Sequence, residues 1–252
     1  MLGAAMPPGV PKLYVLPGSH PCAAVEAALR LKQLRFERVD LLPLTQLVAG
    51  PLLWRGYTVP GLRMGSERIV GSRAIMRRLD TLAPEPALLP PPGQARERVL
   101  AAESWGDEVF QSVPRRVIDA AFVRDSTPME SYAADAKLPL PRPLLRPALP
   151  MTAKLLALRN KAREETARAD LLALPSQLEQ IDGWIAEGVL AGETPNAADL
   201  QIGSAIRLLM SIGDVRPLIE GRPAAALAGY FPPQVGAVPA GVLPREWLPA
   251  QA

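Results

Sequence analysis

The chain has 252 residues, 48% hydrophobic and 21% charged, with a formal net charge of +3. This is enough apolar material for a buried core, and the mild charge, with no basic run interleaved with aromatics, argues against a nucleic-acid partner. One cysteine, Cys22, excludes an internal disulfide and four-ligand zinc patterns, and one histidine, His20, leaves little for a metal centre or a serine triad, so no metal is expected.

Residues 1–11 lack a basic stretch followed by an apolar one, and no apolar run reaches the roughly 20 residues of a membrane span. The expectation is a soluble, cytoplasmic protein with no membrane partner. Residues 12–16 suit a short buried strand. Pro17-Gly18-Ser19-His20 makes a turn, Pro21 suits a first helical position, and Cys22, Val25 and Leu29 share one face of a helix over 21–33. Residues 36–41 alternate and read as a second strand. The segment 42–57 is irregular, with one short helix about 44–49. Residues 59–64 and 67–70 form a hairpin around Gly65-Ser66. The helix from Ser72 carries Ile75, Leu79 and Leu82 on one face, leaving Arg73, Arg77 and Arg78 to water. A βαβ unit followed by ββα makes one four-stranded sheet covered by helices, the thioredoxin-like arrangement.

The 29 prolines cluster at 84–92, 139–150 and 232–249. Residues 84–93 read as a stiff linker, after which the pattern is helical. One long helix is expected over 94–124, carrying Trp105 and Phe110. Five prolines in the twelve residues 139–150 predict a surface loop, and a charged helix is expected over 151–169. The stripe Leu171, Leu174, Leu178, Ile181 and Ile185 runs through Pro175, which starts or kinks its helix. Asn196 followed by Asp199 forms a capping box, in which each side chain takes a backbone N–H of the other's turn, opening a helix with Ile202, Ile206 and Leu209 on one face. From Ala225 the chain is either a flexible end or an extension laid over the helices. These divisions give units of 11–83, 84–93 (linker), 94–228 and 229–252 (C-terminal extension).

Two blocks resemble the cytosolic glutathione S-transferase superfamily, of the Ser/Cys type. Thr58-Val59-Pro60-Gly61-Leu62 followed by Arg68-Ile69-Val70-Gly71-Ser72-Arg73-Ala74-Ile75 is similar to its glutathione-site half. Thr194-Pro195-Asn196-Ala197-Ala198-Asp199-Leu200 resembles the Ser/Thr-x-Ala-Asp box of its helical half, with Asn at the cap. The resemblance covers roughly residues 12–82 and 171–215. It implies an α/β plus all-α fold: a thioredoxin-like N-terminal domain, then an all-helical C-terminal domain.

The resemblance further implies glutathione as co-substrate, a small hydrophobic electrophile lying between the domains near Trp105 and Phe110, and a homodimer. Ser19 takes the catalytic position, where its hydroxyl donates a hydrogen bond to the bound thiolate near the positive end of a helix; the alternative is that it only caps the turn. Val59, held by a cis bond to Pro60, pairs its backbone with the cysteine of glutathione like an added strand. Gly71 and Ser72 occupy the pair that binds the γ-glutamyl group. Ser72 is retained, but Gly71 stands where the family has an acid for the amine. Losing that charge-assisted hydrogen bond costs roughly 1.5–3 kcal/mol, about ten- to a hundredfold in affinity. Gln46 and Arg55 are candidates for the glycine carboxylate.

Cys22 stands where thioredoxin-like proteins place a second cysteine. With Ser19 in the first position disulfide exchange lacks its nucleophile, so Cys22 reads as a small buried residue. Tyr14 reads as core, His20 as a solvent-facing turn residue, and Asp199 as structural. The function implied is a transferase-like protein that activates a glutathione thiol toward an electrophile. The alternative, favoured by Gly71, is a non-catalytic binding protein on the same scaffold that does not use glutathione.

Overall fold

A computed structural model describes residues 9–249; residues 1–8, on which most of the leader reading rests, and residues 250–252 lie outside it. Strands β1 (Lys12–Val15), β2 (Glu37–Asp40), β3 (Gly61–Met64) and β4 (Glu67–Val70) form one sheet in the order β2-β1-β3-β4. β1 and β2 are parallel, with α1 (His20–Leu31) between them in the chain, while β3 runs antiparallel to β1 and β4. The chain then reads α2 (Gln46–Leu53) before β3 and α3 (Ser72–Leu82) after β4. This is the expected thioredoxin-like sheet, although α2 starts later than expected and runs on through Pro51.

Alternation along the strands turns Leu13, Val15, Leu62 and Met64 into one buried layer against Ala24, Val25, Ala28 and Leu29 of α1 and Ile75 and Leu79 of α3. On the opposite face Tyr14 stacks on Trp54, ring centroids 4.8 Å apart, and the indole N–H of Trp54 donates to the Thr58 carbonyl at 2.9 Å. A Cβ on Gly61 would come within 2.4 Å of the Trp54 ring, so only glycine can follow Pro60 here.

The helical half is α4 (Gln94–Trp105), α5 (Ser112–Arg124), α6 (Met129–Tyr132), α7 (Arg142–Leu145), α8 (Leu149–Asn160), α9 (Glu164–Ala186), α10 (Ala197–Met210) and α11 (Arg216–Ile219). The expected single helix over 94–124 is interrupted by a wide π turn, Gly106–Phe110, where the Gln111 N–H bonds back five residues to the Gly106 carbonyl at 2.8 Å. That turn stacks Trp105 on Phe110 at 5.2 Å. The 139–150 segment is on the surface, but helical turns replace the expected loop: α7, a 3₁₀ turn Arg146–Ala148, and the start of α8. Pro143, Pro147 and Pro150 all sit in first turns, where a missing N–H costs nothing. The expected helix over 151–169 is also split. Lys161 takes a left-handed φ of 55° after α8, and α9 begins with Glu164 and Glu165 at its positive end. Pro175 neither starts nor ends α9.

Leu171, Leu174, Leu178 and Ile181 are fully buried, as the stripe predicts. The capping box is formed: the Asn196 carbonyl oxygen accepts the Ala198 and Asp199 N–H groups at 2.8 and 3.1 Å, and Asp199 accepts those of Asn196 and Ala191 at 2.9 and 2.7 Å. The last stretch lies over the helices. Val238 bridges to Ile212, and Trp247 is buried with the Arg124 guanidinium 5.3 Å from its ring. Between the halves, the fully buried ammonium of Lys32 bonds Asp80 at 2.8 Å and the carbonyls of Ala83 and Pro86 at 2.6 and 2.9 Å, while Asp80 also accepts the Leu88 N–H at 2.8 Å. The Pro-rich segment is thus fastened to α1 and α3.

Candidate active site

A cavity of about 350 Å³ opens between the sheet and the helices, within the usual range of small-molecule sites. Ser19, Val59, Pro60, Gly71 and Ser72 all line it. Ser19 stands at the cap of α1 with extended backbone; its N–H bonds the Leu16 carbonyl and its own carbonyl takes the Ala23 N–H, both at 3.1 Å. Its side chain makes no capping bond. The Val59–Pro60 bond is cis, and the Pro60 carbonyl accepts the Gly71 N–H at 2.9 Å.

Gly71 has φ +89°, a conformation that L side chains rarely adopt, although nothing lies within 4 Å of where its Cβ would be. An acid at this position would meet backbone strain rather than a lack of room. Beside it, the buried Ser72 hydroxyl donates to the Gln201 side-chain oxygen at 3.0 Å. From there a chain of bonds runs along the wall. Gln201 and Gln111 both donate to Asp107, at 3.3 and 2.6 Å, and Arg115 donates to Gln111 at 2.9 Å.

Asp107, Gln111, Arg115 and Asp119 recur every four residues across the π turn and down α5, and all four line the cavity. Arg159 and Asn160 of α8 face them, with the Asn160 amide donating to Asp119 at 2.7 Å. Burial pushes the Asp119 carboxyl up to about 6, with the Asn160 bond and Arg115 pulling the other way, and burial also holds the Arg115 guanidinium below its usual value.

His20 corrects the expectation of a solvent-facing turn. As the first residue of α1 it is 3% exposed, with Nε2 lacking any hydrogen-bond partner, and burial followed by Arg115 keeps its imidazole well below the ordinary value, hence neutral. Cys22 is buried as expected, and desolvation pushes its thiol up to about 12, against the smaller opposing effect of the nearby Ser19 hydroxyl. That thiol is inert at neutral pH. Gln46 lines the cavity with a buried, unpartnered side-chain oxygen, whereas Arg55 is not part of the wall.

Trp105 and Phe110 do not line the cavity, against expectation: Phe110 is fully buried and Trp105 packs between it and Trp184. The apolar wall is built instead from Ile118, Phe122, Met129, Tyr132, Leu156 and Leu208. The polar row on α5 is visible in the sequence as four-residue spacing, but spacing alone does not separate a cavity face from a water face. Among the described residues no three His, Cys, Asp or Glu side chains cluster for a metal, and no helix is long and apolar enough to cross a membrane.

Residues 13–87 match the family described as glutathione S-transferase, N-terminal domain. No curated protein matches the chain. Among solved structures, a glutathione S-transferase from Rhodospirillum rubrum F11 aligns at 20% identity over 94% of this chain and 98% of its own, TM-score 0.57. A β-etherase, LigF, from Sphingobium sp. strain SYK-6 aligns at 16% identity over 89% of both chains, TM-score 0.59. A maleylacetoacetate isomerase from Anaeromyxobacter dehalogenans 2CP-1, solved with bound dicarboxyethyl glutathione, aligns at 21% identity over 86% and 84%, TM-score 0.52. At these identities the likeness is one of fold.

Proposed function

From a chain that carries the glutathione S-transferase N-terminal domain over residues 13–87 and the fold of that superfamily, we propose a cytoplasmic, homodimeric transferase-like enzyme that activates the thiol of glutathione toward a small electrophile. The observation that carries this reading is convergence: Ser19, the cis Val59–Pro60 pair, Gly71 and Ser72, far apart in the chain, line one cavity. The backbone of Val59 pairs with the cysteinyl segment of glutathione as an added strand does. Ser72 and the first turn of α3 hold the γ-glutamyl carboxylate. Asp107, joined to Ser72 through Gln201, takes the ammonium in place of the acid absent at Gly71.

The Ser19 hydroxyl, not used as a cap, donates to the sulfur and favours the thiolate over the thiol, and the thiol proton leaves to solvent. The thiolate then forms the C–S bond to an electrophilic carbon held against the apolar wall. Its formation either breaks the bond to a leaving group that departs with its electron pair, or opens an activated double bond whose electron pair takes a proton from water. Two features favour the second reading, a binding protein that does not use glutathione: the bare Gly71, and a Ser72 hydroxyl already engaged with Gln201.

Calorimetric titration with reduced glutathione separates the two. Saturable binding at micromolar to low-millimolar concentration, weakened about tenfold or more in Ser72→Ala, with turnover lost in a folded Ser19→Ala, supports the enzyme. Silence at concentrations well above that range leaves the binding protein.

A further inference from the structure

We propose that the second ligand of this cavity is anionic, an apolar body bearing a carboxylate that Arg115 and Arg159 receive. This narrows the preceding reading and rests on it for the identity of the first ligand. Arg115 lies on α5, and its guanidinium, with five N–H donors, bonds one neutral acceptor, the Gln111 side-chain oxygen at 2.9 Å. Among the described residues no carboxylate comes within ion-pair distance of it, whereas Arg116, one residue along the same helix, is clasped by Asp170 at 2.5 and 2.6 Å. Arg159 arrives from α8 with the Tyr57 carbonyl, at 3.1 Å, its only partner among the described residues, and near enough to act electrostatically on Arg115.

Two guanidinium groups lining one cavity repel, and among the described residues neither has a carboxylate within ion-pair distance. A planar carboxylate matches the forked donors of arginine and would relieve both. Asp119 offsets Arg115 only in part, because its carboxyl is occupied by Asn160 and ionises reluctantly. Asp107 stands on the far side of Gln111 from Arg115. Beside these groups lies the neutral His20, whose unpartnered Nε2 lacks the hydrogen bond a buried ring nitrogen ordinarily makes. Ile118, Phe122 and Leu156 supply the apolar wall, so a charge at one end and a hydrocarbon body fit together. The refinement replaces the plain hydrophobic electrophile expected from sequence.

Glutathione itself carries carboxylates, so the source of the anion must be separated from its chemistry. The experiment titrates 4-phenylbutyrate and its neutral isostere 4-phenylbutanamide into the full chain, without and with saturating glutathione, in wild type, Arg115→Met, Arg115→Lys and Arg159→Met. The expected result is a preference of about tenfold or more for the carboxylate, kept when glutathione is present. It is reduced severalfold in Arg159→Met, lost in Arg115→Met and partly restored in Arg115→Lys.

Equal affinity for acid and amide overturns the proposal. So does a preference that survives both Met variants. Displacement of phenylbutyrate by glutathione, with glutathione binding itself weakened in Arg115→Met, assigns the arginines to the tripeptide and also overturns it. Carboxylate preference in a protein that shows no heat with glutathione keeps the anion subsite and removes the glutathione reading. Arg159 is exposed, so its Met variant reports on the site even where Arg115→Met fails to fold.

Discussion

Asp119 is 5% exposed, with Asn160 its one hydrogen-bond donor among the described residues, so ionising it inside the fold is costly. Burial raises its carboxyl from 3.8 to about 6. The folded state therefore holds this proton more tightly than the unfolded chain does. The stability tied to it is fully present below about pH 4 and is lost as the pH rises through about 6. A tighter hold of this size is worth about 3 kcal/mol. Asp119→Asn keeps the shape and removes the titration, so the stability of variant minus wild type should grow by roughly that amount between about pH 4 and pH 7. Urea melts of both proteins at four pH values measure it, and a difference that stays flat across the range would contradict the assignment. His20 titrates in the opposite sense: burial holds its imidazole below the ordinary value, so the unfolded chain takes up that proton as the pH falls below about 6.5. It does so in both proteins and cancels in the difference.

At the scale of elements, the capping box explains why α10 starts where it does. Asn196 supplies an acceptor to two orphan N–H groups, and Asp199 returns the favour to two more while fully buried. Asn196→Ala should cost about 1 kcal/mol, Asn196→Ser much less, and Asp199→Ala more than either, since it strands two part-buried donors; chemical denaturation ranks the three. This box and the alternating strands were legible because each is local, imposed by residue type and spacing, whereas the cis Val59–Pro60 bond was expected only from the resemblance to the transferase family. What escaped the sequence depended on partners distant in the chain. His20 reads as an exposed turn residue until α5, with Gln111 and Arg115, is packed over it. The prolines of 139–150 read as loop because composition does not tell whether a proline lies in a first helical turn or in the middle. The break at Lys161 carries no glycine or proline to announce it. The cavity-lining role of Arg115 and Arg159 was hidden likewise, because two arginines on separate helices look like surface charges until the helices meet.

At the scale of the whole molecule, one lysine fastens the junction of the two halves. The Lys32 ammonium is fully buried, and its three acceptors come from α3 and the segment that leaves it. Lys32→Met strands Asp80 and two carbonyls, so a loss of about 3 kcal/mol is expected. Because the contact binds the Pro-rich segment rather than a core, limited proteolysis within 84–93 should accelerate more than the global loss of stability accounts for. Equal acceleration at all cut sites would place the lysine's contribution in overall stability alone.

The wide turn at Gly106–Phe110 has a consequence for how this chain can change. Four residues along an ordinary α-helix overshoot one full turn by about 40°, so a row spaced in fours winds steadily off its face. The extra residue in the wide turn resets that drift once, and Asp107 stays in the same wall as Gln111, Arg115 and Asp119. Dropping a single residue there would let the wide turn close to an ordinary one, which takes about one residue fewer, so α4 and α5 would keep roughly their mutual orientation. What would change is local: Asp107 and Gln111 would stand three residues apart, about 60° short of a full turn, and the row along the wall would lose its spacing there. Lineages descended from this chain are thus free to shed that one residue, as a slack link comes out of a chain without turning either end, at the cost of the Asp107–Gln111 pairing.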